Sequence, residues 1–83
     1  MNLEAQLLKM HDVLKQIELL DQTAKQILVL SQAYAKDAVH FMEKRERENA
    51  IEAFGIAWAY VDALLHLGMV RVPEKFLPWF TVE

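Results

Sequence analysis

Two carboxylate and imidazole pairs are the residues best suited to chemistry in this chain: Asp37 with His40, three positions apart, and Asp62 with His66, four apart. On a helix either spacing puts both side chains on one face, where they form an acid and base couple or half of a metal site. To build one metal site the two pairs must meet. With a turn centred between Glu46 and Arg47, antiparallel packing joins residues whose numbers sum to about 93. Asp37 then lies level with residue 56, roughly 9–15 Å along the axis from the Asp62 to His66 turn at 1.5 Å per residue. Two separate two-ligand sites hold a metal weakly, so neither a metal nor a cofactor is expected.

Asp62 is the most informative single residue. A carboxylate beside Trp58 and Leu65 is partly desolvated and must find donors. The same register sets Ser31 against Asp62, Ala35 against Trp58 and Ala38 against Gly55, so Ser31 or Tyr34 is the expected donor to Asp62. A functional reading makes Asp62 a tuned acid or base; a structural reading makes it a satisfied residue at the helix seam. No nucleophile or oxyanion donor is identifiable nearby, which favours the structural reading and leaves no catalytic residue to assign. The alternative function is a small-molecule or metal-binding bundle using Asp62 and His66. Nuclease chemistry of the helical kind pairs an arginine with a histidine a few residues downstream, but Arg45 and Arg47 are followed by no histidine until His66. Their run, Glu43-Lys44-Arg45-Glu46-Arg47-Glu48, mixes both signs and reads as a solvated turn.

The elements that would position these groups are helices. Glycine and proline number two each, all at or beyond Gly55, so the first half lacks strong breakers. Leu3, Leu7, Met10, Leu14 and Ile17 fall on one helical stripe, and the stripe continues in phase through Asp21, Ala24, Leu28, Ser31, Ala35, Ala38 and Met42. Asp21 is a suitable N-cap, and Thr23 with Gln26 has capping-box spacing, so a break is placed near Leu20 to Thr23. The alternative is one long N-terminal helix plus an antiparallel one in a dimer. Gly68 is the expected left-handed stop of the last helix. The fold class is therefore all-α, a small up-and-down three-helix bundle forming one domain over residues 1–83. Its helices run over about 2–20, 23–44 and 47–67, with an irregular aromatic tail over 69–83.

The last helix is apolar around most of its circumference, with Ala50, Ile51, Phe54, Ala57, Trp58, Val61, Leu64 and Leu65 on one face, so it needs cover from the first helix and the tail. Between Ala53 and Val70 only Asp62 and His66 are strongly polar, yet a central carboxylate disfavours a membrane span. Hydrophobic residues make up 54% of only 83 residues, with no cysteine to add a disulfide. That surplus predicts a homo-oligomer or a protein partner, engaged through the last helix and the tail. Trp58 reads as core, while Trp79 and Phe80 serve either as interface anchors or as a folded-back tail. A net charge of -3 has the wrong sign for nucleic acid. With no signal-like N-terminal segment, the expected location is cytoplasmic.

The stretch Tyr34-Ala-Lys-Asp37-Ala38-Val-His40-Phe41, then Glu43-Lys44, Ala50, Ala53, Phe54, Trp58-Ala-Tyr-Val-Asp62-Ala63 and Leu67-Gly68, resembles the short archaeal proteins grouped as domain of unknown function three-five-seven. The likeness covers Tyr34 to about Val70. It implies a closed up-and-down three-helix bundle and brings no established activity. The family pattern carries a turn glycine after the Glu-Lys pair, where this chain has Arg45.

Overall fold

A computed structural model describes residues 2–82 of the chain. The first helix, α1 (Leu3–Gln16), opens on Asn2, whose Oδ1 accepts from the Ala5 backbone N–H at 3.0 Å. This satisfies one of the donors that a helix start leaves orphaned. The continuous-helix alternative is absent. Ile17 is extended, Glu18–Leu19 form a short strand (β1), and Asp21 caps a 3₁₀ turn over Gln22–Ala24 that leads into α2 (Lys25–Glu43). The Asp21 carboxylate accepts from the backbone N–H of Thr23 at 3.0 Å and from its hydroxyl at 2.7 Å. Helix α1 thus ends four residues short of position 20, because β1 takes up the connector.

Helix α3 (Arg47–His66) runs back along α2. Both helices end in the same way. After α2, Glu46 N–H donates to Phe41 C=O and Arg45 N–H to Met42 C=O; after α3, Met69 N–H donates to Leu64 C=O and Gly68 N–H to Leu65 C=O. This arrangement closes the last carbonyls with one left-handed residue. At the second site that residue is Gly68, φ 68; at the first it is Arg45, φ 61. The backbone therefore adopts at Arg45 a conformation that glycine enters most readily, at a steric cost to a residue bearing a Cβ.

The helix crossing differs from expectation. The turn centres on Arg45, one to two residues earlier than a turn between Glu46 and Arg47, and this shifts the pairing along the helices. Ala38 packs with Ala50 and Ala53 over Leu3 and Leu7. Ser31, fully buried, donates its hydroxyl to Ala57 C=O at 2.8 Å instead of reaching Asp62. Gly55 lies on the exposed outer face of α3, where an added Cβ would meet nothing within 4 Å. Small side chains do line the seam, but they are Ala38, Ala50, Ala53 and Ala57.

Beyond Gly68 the chain forms a second short strand, β2 (Val70–Arg71), antiparallel to β1 with Glu18 opposite Arg71 and Leu19 opposite Val70. Arg71 donates to the Glu18 carboxylate at 2.6 Å across the pair. A 3₁₀ helix over Glu74–Trp79 then carries the aromatic tail onto the bundle. Helix α3 is thus covered by α2, by α1 and by the tail, with Val13, Val61, Val72 and Phe80 in one shared cluster.

Candidate functional site

The polar strip of α3 meets the tail at Thr81. Asp62 Oδ1 accepts from the Thr81 backbone N–H at 2.8 Å, and Oδ2 accepts from the Thr81 hydroxyl at 2.6 Å. A hydroxyl has one proton, so Thr81 Oγ1 in turn accepts from His66 Nε2–H, 2.7 Å away. His66 Nε2 also stands 3.8 Å from Asp62 Oδ2. Helical spacing places Asp62 and His66 one turn apart, and Phe80, seated against Trp58, delivers Thr81 between them.

This cluster differs from the expected one, in which Ser31 or Tyr34 supplied the donors. Ser31 is bonded to Ala57 C=O, and Tyr34 packs against Tyr60 with ring centroids 6.1 Å apart. Both oxygens of Asp62 are engaged by a tail residue, so the arrangement ties two segments of chain together. The second carboxylate and imidazole pair does not join it. Asp37 lines a recess beside Glu52 and Ile56 toward α3, whereas His40 faces the cleft between α2 and α1. No group of three or more metal-ligating side chains comes together among the described residues.

The aromatic residues do converge. Trp58 stacks on Phe80 with centroids 5.7 Å apart and planes 18° from parallel, and Trp79 meets Phe80 edge-on at 5.3 Å. Trp79 also packs against Phe54, donates its indole N–H to Gln6 Oε1 at 2.8 Å, and lies beneath Lys9 Nζ. Only 7% of Phe80 is exposed. The tail therefore fills the valley between α1 and α3 and is a folded-back segment, so it does not supply the free apolar surface that composition implied.

That surface lies on the other side of α1. No segment among the described residues crosses the valley between α1 and α2, which forms an open groove of about 620 Å³. Leu7, Met10, Leu14 and Val39 line it, and an adjoining recess of about 510 Å³ shares Leu7, His11 and Val39 with it and adds Met42 and Leu8, which is 68% exposed. Leu8 and Val39 fall one position off the inward stripe of their helices, at Leu7 and Ala38, which leaves them facing outward beside it. This phase mismatch was the available sequence signal. A larger concavity, about 830 Å³, lies beside the strand pair, but its most prominent charges, Glu18 and Arg71, neutralise each other.

A family model described as Protein of unknown function (DUF357) matches residues 2–70, more than four fifths of the chain. The chain belongs to the DUF357 family. The match takes in α1 as well as the hairpin, and so reaches further toward the N-terminus than the Tyr34 to Val70 likeness; it stops before the tail that carries Trp79, Phe80 and Thr81. Among solved structures, protein AF1782 from Archaeoglobus fulgidus, also assigned to DUF357, superposes with a TM-score of 0.74 at 24% identity, covering 86% of this chain and 88% of that one. At that identity the comparison establishes the shared all-α fold. No curated protein matches the chain. No helix among the described residues is long and apolar enough to cross a membrane.

Proposed function

We propose that this DUF357 chain is a non-enzymatic helical module that works by association, and that its contact surface is the groove between α1 and α2. One observation carries the reading: the C-terminal segment covers one of the two valleys flanking α1 and leaves the other open, with Leu8 and Val39 exposed at 68% and 45%. Large apolar side chains grouped along a groove are the usual mark of a protein contact, whereas singly scattered ones are ordinary. The total surface, 5560 Å², agrees, since a monomer of this size is expected to expose roughly 5,100 Å².

The alternative, a ligand or metal site at Asp62 and His66, is opposed by the engagement of both Asp62 oxygens with Thr81. The test of association is capture from native extract of the source organism with wild-type and Leu8→Asp/Val39→Asp chains as bait, alongside light scattering of each purified chain. The reading expects a bound protein or a self-associated species that the double variant loses while remaining folded by circular dichroism, with any fall in thermal midpoint no larger than the lost association explains. A wild-type chain that is monomeric at every concentration and retains the same proteins as the variant would overturn it.

A further inference from the structure

The groove carries charges in an order that bears on its occupant. Glu4 on α1 and Glu43 on α2 sit at one end, and Lys15 on α1 at the other, with Lys36 displaced toward that end on α2. The order follows from the antiparallel run of α1 and α2: acidic and basic groups are separated by eleven residues on α1 and seven on α2, about 16 and 10 Å at 1.5 Å per residue. All four are exposed, and none forms an ion pair with another of the described residues. Between them lie Leu7, Leu8, Val39 and Met42.

A groove that is apolar at its centre, acidic at one end and basic at the other is complementary to itself after a half-turn. Laid against a second copy related by a two-fold axis near His11 and Val39, the glutamates of each chain face the lysines of the other. The apolar centres then meet at the axis, as in a self-complementary, isologous interface. A parallel arrangement would set like charges together and is disfavoured.

We infer that the occupant of the groove is a second copy of this chain, docked antiparallel across a two-fold axis so that the α1 and α2 pairs of both copies face each other as two layers. This rests on the association reading and specifies its partner. The groove thereby removes Leu8 and Val39 from water, and the charged ends set the orientation.

The test is a charge exchange on the full chain. Lys15→Glu/Lys36→Glu gives a groove acidic at both ends, and Glu4→Lys/Glu43→Lys gives one basic at both ends. Sedimentation equilibrium is run on wild type, on each variant and on their equimolar mixture, with circular dichroism melts confirming that each is folded. The wild type is expected to be a dimer, each variant alone to dissociate with a Kd raised roughly tenfold or more, and the mixture to recover a dimer containing one of each. A monomeric wild type overturns the inference, and the extract capture then decides the association reading separately. A wild-type oligomer indifferent to both exchanges overturns the two-fold docking and leaves association through another surface.

Discussion

Asp62 and Thr81 are bonded twice, through the Thr81 backbone N–H at 2.8 Å and the Thr81 hydroxyl at 2.6 Å, and this double contact fixes where the tail lies. Phe80, the residue before Thr81, is thereby held on Trp58, and Trp79 is placed against Phe54 and Gln6. The tail occupies the valley between α1 and α3, and this asymmetry exposes the valley on the opposite side of α1.

Weakening the latch should loosen the tail before it affects the bundle. Thr81→Val removes the hydroxyl and keeps the backbone bond, and is expected to cost about 1 kcal/mol; Asp62→Ala removes both acceptors and is expected to cost about 1–2 kcal/mol. The double variant should lose less than the sum, since both changes break the same contact. Urea unfolding followed by tryptophan emission reads both effects, with a red shift as Trp79 leaves its pocket. Additive losses would show that the two side chains act separately.

Arg45 and Gly68 hold the same position in equivalent helix stops, so exchanges there should have opposite signs. Arg45→Gly relieves a left-handed residue bearing a Cβ and is expected to stabilise by up to about 1 kcal/mol, whereas Gly68→Ala imposes that strain and should destabilise by about 1 kcal/mol. Thermal melts measure both. A destabilising Arg45→Gly would mean that the Arg45 side chain contributes more than its backbone costs.

Gly55 offers a simpler gain. It sits mid-helix on an exposed face with space for a Cβ, so Gly55→Ala is expected to raise stability by about 0.5–1 kcal/mol. The same change at a close helix crossing would have been destabilising, and the sign of the shift in urea midpoint therefore reports the seam register.

The Asp21 carboxyl is held below the ordinary aspartate range, first by the Thr23 hydroxyl and second by the Thr23 backbone N–H. Because its folded pKa is lowered, its contribution is complete above the unfolded value, about 3.9, and is lost as pH falls through the lower folded value. Carboxyl NMR titration should find Asp21 ionising below the ordinary range, and Thr23→Val should move it upward. An unmoved titration would contradict the hydroxyl as the leading cause.

The parts of the fold written in periodicity were legible. The stripe from Leu3 through Leu28 to Ala38 is the buried face of α1 and α2, interrupted where Asp21 caps a turn, and Gly68 ends α3. The family likeness was readable in the hairpin residues. The seam register was not, because nothing local announces that Arg45 will adopt the left-handed conformation and so set which residues lie level; Gly55 stays off the crossing because two positions from Ala53 and Ala57, about 200° around the helix, is its outer face. Strands of two residues carry no alternation to detect. The Trp79 to Gln6 bond joins positions 73 residues apart and follows from tail packing that no spacing rule encodes. Thr81 escaped notice for the same reason, although Asp62 had to find donors somewhere.

The measurement closest to the central claim is methyl NMR of the labelled chain when dilute, when concentrated and in native extract. If the groove between α1 and α2 is the contact surface, the methyl signals of Leu7, Leu8, Val39 and Met42 shift or broaden with concentration or in extract, while those of Leu30 and Leu67, exposed elsewhere, stay in place. Groove signals that remain unchanged under all three conditions would contradict it.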